Sequence, residues 1–122
     1  MKSQRFGIEI EMTGLTRRSA ALIIAKHFDT GFRHERGIYD TYSVCDQDGR
    51  KWKIVRDASI TPQCGNRFNY DPDYKVEVVS PICHYDDIET IQSIVRELRR
   101  NGHAKVNESC GIHIHVDASK HT

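Results

Sequence analysis

The sequence has no long apolar run, no excess of one charge and no closely spaced cysteine pair, and each absence removes a class of function. The longest apolar stretch, Ala20 to Ala25, is far too short to span a bilayer. The opening "MKSQRFGIEIEM" alternates polar and apolar residues where an export signal would be continuously apolar. Eighteen Lys+Arg against seventeen Asp+Glu leave a net charge of +1, so nothing draws the whole chain toward nucleic acid or an anionic membrane. Cys45, Cys64, Cys83 and Cys110 are scattered without a CxxC pair, which argues against a zinc knuckle. With no export signal, reduced thiols in a soluble, cytoplasmic protein are the expectation. The five tyrosines form no basic–aromatic stripe, so a nucleic-acid module is disfavoured. There is neither a Gly-rich Lys-Ser/Thr phosphate loop nor a GxGxxG turn. A nucleotide would have to be held by metal, arginines and the sheet itself.

What is present is enough for one domain, residues 1–122, with a real core: 38% of residues are hydrophobic and 29% charged, well outside disordered composition. "FGIEIEM" reads as a strand, with Phe6, Ile8, Ile10 and Met12 on one face and Glu9 and Glu11 on the other. "TRRSAALIIAKHF" reads as a helix ending before Gly31, and Arg33 to Asp40 as irregular. "YSVC" and "KWKIV" flank "DQDGR", a hairpin turning at Asp48-Gly49. Asp57 to Asp73, with Pro62 and Pro72, reads as a loop, and "KVEVVS" as a strand stopped by Pro81. From Asp86 a helix places Ile88, Ile91, Val95 and Leu98 at helical spacing and ends at Asn101-Gly102. "HAKVN" and "GIHIHVD" close the chain as strands, the second with Ile112, Ile114 and Val116 opposite His113, His115 and Asp117. The pattern predicts an α+β fold: a mostly antiparallel sheet with two helices on one face.

The other face would carry Glu9, Glu11, Glu77 and the two histidines. Alone, an ExE pair is usually the solvent side of a half-buried strand. A strand HxH is equally compatible with half-buried histidines. Glu77, inside the apolar "VEVV", needs more of a reason, because a strand interior disfavours glutamate. Two carboxylates two residues apart lie about 6.6 Å apart along a strand, which suits two neighbouring cations better than one. Carboxylates with at most one imidazole per ion favour Mg²⁺ or Mn²⁺ over zinc. A metal-dependent hydrolase stays open on these residues, although the acid-rich set matches zinc catalysis poorly. A cupin would need a glutamate shortly after HxH, and "VDASKHT" has none. Cys110 near His113 is more simply a semi-buried thiol than a nucleophile.

Together "FGIEIEM", "WKIVRDASI", "VEVVSPI" and "GHAKVNESCGIHIHVDAS" resemble, in order and spacing, the amidoligase family, whose active-site pattern is similar to that of glutamine synthetase and glutamate–cysteine ligase. The resemblance covers nearly the whole chain; Ala58 stands where the second block usually has glycine. It implies a glutamine-synthetase-like catalytic sheet and an ATP- and Mg²⁺- (or Mn²⁺-) dependent carboxylate–amine ligase working through an acyl phosphate. Glu9, Glu11, Glu77 and His113 match metal ligands. Asp57 and Ser59 match the block after the tryptophan strand, and His115 matches a contact to phosphate or substrate. Arg56 and Arg67 are local candidates for the nucleotide's phosphates, against the commoner role of surface arginine.

Family members usually continue past the HxH strand and draw further acids and arginines from there, whereas here only Val116 to Thr122 follow His115. The resemblance therefore implies an N-terminal portion of the usual domain. It would be a truncated product, half of a split enzyme, or a non-catalytic remnant that binds metal or nucleotide. The expected partners are a small-molecule or peptide carboxylate, an amine donor, and a second copy or a complementing C-terminal polypeptide.

Overall fold

A computed structural model describes residues 4–116. Its first strand, β1 (Arg5–Met12), alternates as the sequence does, with Ile10 and Met12 buried under the helices and Glu9 and Glu11 facing the other way. The chain continues through α1 (Arg17–Phe28), β2 (Phe32–Arg36), β3 (Thr41–Cys45) and β4 (Lys51–Val55). A small ribbon follows, β5 (Gln63–Cys64) and β6 (Arg67–Phe68), then β7 (Val76–Val79), β8 (Cys83–His84), α2 (Ile88–Gly102) and β9 (Ile112–Val116). The main sheet is antiparallel and open. β7 and β9 flank β1, and β7 connects it through β4 and β3 to β2 at the far edge. β8 resumes the β7 side of β1 one register step later, after Pro81 interrupts the ladder. At that break the Ser80 hydroxyl accepts from the Ile8 amide at 2.9 Å, so the amide stays paired.

Both helices lie on the apolar face. Thr16 caps α1 by accepting from the Ser19 amide, and the left-handed Asp29 ends it. Ala20, Ala21, Ile24 and Phe28 pack down onto Val44, Trp52, Ile54 and Val76. α2 adds Ile91, Ile94 and Leu98 and stops at the left-handed His103. Buried Asp46 ties the hairpin to α2: it accepts from Trp52 Nε1 at 3.1 Å and from Arg50 Nε at 3.0 Å. Arg50 in turn donates twice to Asp87, just ahead of the helix. No described helix is long and apolar enough to cross a membrane.

The α+β architecture, the central hairpin and the helix positions match the sequence reading. Three segments differ. Arg33 to Asp40 is not wholly irregular, because Phe32–Arg36 forms β2; its apolar side is supplied by Phe32 and by His34, which stacks on Tyr42 at 4.1 Å between ring centroids. "HAKVN" is not a strand: Lys105 alone pairs, in a single bridge to Thr13. The predicted loop 57–73 contains the β5–β6 ribbon.

The Thr13 bridge needs glycine beside it. Gly14 has φ +89°, and a Cβ there would stand 2.6 Å from the His103 carbonyl oxygen. Gly14→Ala should cost about 2–4 kcal/mol in urea unfolding. Gly37→Ala, at φ +81° in open space, should cost only about 1 kcal/mol. Equal losses would show that the close approach at Gly14 is unimportant.

Candidate functional site

The register of three strands assembles the polar face. β1 pairs Glu11 with Glu77 of β7 and Glu9 with His113 of β9. Since directly paired residues share a face, four of the predicted residues meet at adjacent strand positions. Gly7, opposite His115, leaves open space where a Cβ would stand, and both imidazoles lean toward Glu9. His113 Nδ1 lies 3.6 Å and His115 Nε2 3.5 Å from Glu9 Oε1. Asp117 lies outside the described residues.

The chain leaving β4 brings in Asp57. One ligand atom from each of Glu9, Glu77 and His113 lies within 4.8 Å of the others, and the same holds for Glu11, Asp57 and Glu77. The two groups share Glu77. Burial and then the neighbouring charges of Glu9, Asp57 and Glu11 push the Glu77 carboxyl up to about 7. Glu11 is raised by its hydrogen bond to Asp57 and by its own burial. Asp57 is held low, chiefly by that same bond and further by Ser59. Their bond thus moves the two carboxyls in opposite directions. Among the described residues no lysine or arginine forms an ion pair with Glu11, Glu77 or Asp57. Crowded carboxylates without protein cations, with a single imidazole in one group, fit hard divalent cations.

The surroundings hold these side chains in place. Asp57 Oδ1 accepts from both the amide and the hydroxyl of Ser59, at 2.9 and 2.7 Å, so Ser59 orients Asp57. Asn107 bonds the Thr61 carbonyl, and Ser109 Oγ accepts from the Thr61 amide, joining the loop after Asp57 to the approach to β9. That approach ends at Gly111, whose carbonyl accepts from the Glu11 amide at 3.0 Å. A Cβ on Gly111 would sit 3.5 Å from Glu11 Oε1 and 3.7 Å from His113 Nε2, in ordinary contact with both.

Arg17 escaped the sequence reading. It is 3% exposed and donates to Asp40, Asp73 and the carbonyls of Pro72 and Lys75, the last immediately before β7. It fixes where β7, and so Glu77, begins. Nothing in its spacing within "TRRS" signals this, because its partners lie 23 to 58 residues away. Arg56 donates to the Ile38 carbonyl and Arg67 lies exposed on β6. Among the described contacts neither reaches the carboxylates.

The family model described as "Putative amidoligase enzyme" matches residues 2–122. Nothing among curated proteins or solved structures matches the chain.

The raised Glu77 carboxyl makes stability depend on pH with a definite sign. The folded state holds this proton more tightly than the unfolded chain, so the benefit is full below pH 4.5 and is lost as pH rises through about 7. Melting in the absence of metal should therefore weaken across that window, by about 1–2 kcal/mol after discounting for partial solvent screening. Glu77→Gln should flatten the profile, and Mg²⁺ or Mn²⁺ should restore the wild type at the alkaline end. A wild-type profile flat from pH 4.5 to 7 would contradict the burial and crowding of charge at Glu77.

Proposed function

The chain belongs to the amidoligase family, and we propose that its polar sheet face joins a carboxylate to an amine at the expense of ATP. The observation that carries this reading is the pair of three-ligand groups sharing Glu77. Glu9, Glu77 and His113 would hold one Mg²⁺ or Mn²⁺, and Glu11, Asp57 and Glu77 a second. Such ions, when bound, neutralise charge on the phosphates of a nucleotide.

In the reaction proposed, a carboxylate oxygen of the substrate attacks the γ-phosphorus of ATP and ADP leaves, giving an acyl phosphate. The amine nitrogen then attacks the carbonyl carbon. Phosphate departs with the former carboxylate oxygen, and the amine gives up a proton as the amide forms. The protein's part is positioning and electrostatics. Ser59 keeps Asp57 aimed at Glu11. His115, exposed beside Glu9, is suited to contact phosphate or to take the amine's proton. Arg56 and Arg67 could approach the phosphates only by leaving their present places, so charge neutralisation falls mainly to the cations.

The test follows oxygen. With ATP, Mg²⁺, ¹⁸O-labelled amino-acid or dicarboxylate mixtures and hydroxylamine as the amine, label should pass into inorganic phosphate while hydroxamate and ADP accumulate. Glu11→Gln should lower ADP formation by about 100-fold or more. Phosphate formed without label would identify attack of water on ATP and contradict the acyl phosphate, whereas the metal-dependent hydrolase alternative predicts no affinity for the nucleotide at all. No ADP formation with any acid tested, together with no binding of Mg²⁺-ATP, would remove the ligase reading.

A further inference from the structure

The polar face continues past the carboxylates toward the other edge of the sheet. Strand pairing carries one row of residues straight across it: Glu9 beside Val79, Val79 beside Lys53, Lys53 beside Ser43, and Ser43 beside Arg33. Directly paired residues share a face, so Lys53 stands on the carboxylate side, two strand spacings or roughly 10 Å from Glu9. Only the short, apolar Val79 lies between them in the row. In the row through Glu77 the β4 residue is Val55, which brings no charge. The other lysine on this side of β4, Lys51, is held by Glu35 at 3.1 Å, and Glu35 also accepts from Ser43 at 2.7 Å. Lys53 has no ion-pair partner among the described residues. It adds only to the field that keeps the Glu35 carboxyl low, where Ser43 and Lys51 dominate. Beyond Lys53 the face opens into a cavity of about 300 Å³ beside β2, β3 and β4, whose lining includes Thr30, Arg33, Glu35 and Cys45.

We propose that ATP lies along this row, its terminal phosphates toward Glu9 and Glu77, Lys53 on the phosphate chain and the nucleoside in the cavity. The inference rests on the ligase reading above, and adds to it the direction of the nucleotide and the protein cation that meets its phosphates. The span is suitable: Glu9 to Ser43 is three strand spacings, roughly 14 Å, the order of an extended nucleoside triphosphate. Lysine is a point charge on a flexible stem, so it follows a phosphate chain without demanding one fixed geometry. Arg56 and Arg67, the arginines singled out from the sequence, are turned elsewhere, whereas Lys53 needs no rearrangement of the sheet to serve. In the cavity the planar guanidinium of Arg33 is a surface on which a base can stack, and Thr30 and Glu35 supply polar partners. Lys51 balances the charge of Glu35, which limits its repulsion of the phosphates.

The test titrates the full chain with Mg²⁺-ATP and with Mg²⁺-tripolyphosphate, which carries phosphates and no nucleoside. Lys53→Met should weaken both by about tenfold or more, and Lys53→Arg should recover most of the loss. Lys53 is exposed, so both variants should melt as the wild type does. Lys26→Met, an exposed charge on α1 behind the sheet, should leave both affinities unchanged. Cys45 reports on the cavity, because it lines it and is exposed, as is Cys64 on the β5–β6 ribbon. Mg²⁺-ATP should slow alkylation of Cys45 severalfold and leave Cys64 unchanged, while Mg²⁺-tripolyphosphate protects neither. Binding of neither compound by the wild type removes the ligase reading and this inference with it. If the wild type binds Mg²⁺-ATP, the ligase reading stands and three results overturn this inference alone. They are an affinity that Lys53→Met leaves unchanged, an equal loss in Lys26→Met, and a Cys45 that ATP does not protect.

Discussion

Glu9, Glu11, Glu77 and Asp57 repel one another, and the fold holds them together because the reverse side of the same strands is the core. Ile10 and Met12 alternate with the two glutamates of β1, and Val76 and Val78 flank Glu77 on β7. A one-residue slip of either strand would exchange carboxylates for core residues, so the hydrophobic effect fixes the register that the charges oppose. The cost appears at Glu77, whose carboxyl is driven up to about 7 by burial first and by the neighbouring carboxylates second. Cations would relieve the cost, and that is the physical content of reading the face as a metal centre.

The supports lie at the ends of the strands. Arg17 grips the segment leading into β7, and the Asn107–Thr61 and Ser109–Thr61 bonds join the Asp57 loop to the entry of β9. These contacts span long sequence separations and use backbone carbonyls and amides as partners. They set the positions of the carboxylates and imidazoles without belonging to the cluster, and their loss would loosen the face rather than discharge it.

This division explains what could be read from the residues alone. β1 and β9 announce themselves by strict alternation and β7 by its valines, and Glu9, Glu11, Glu77 and His113 were the candidates that the register brings together. β2 was hidden because "FRHER" alternates charged residues with an aromatic and a histidine, and the histidine finds its apolar character only by stacking on Tyr42. "HAKVN" alternates convincingly, yet among the described residues it has one pairing partner, Thr13, and no neighbouring strand to extend along. That Asp57 meets Glu11 follows from the path of the chain beyond β4, which no period describes. The role of Arg17 depends on what packs next to it, and that is a property of the assembled fold.

The central claim is that Glu77 stands between two cation positions. The most direct measurement is a crystal grown with Mn²⁺ and its anomalous difference map. Two peaks astride the Glu77 carboxylate, roughly 4 Å apart, are predicted, one beside Glu9 and His113 and the other beside Glu11 and Asp57. A single peak, or peaks bound elsewhere while Glu77 stays unligated, would contradict it.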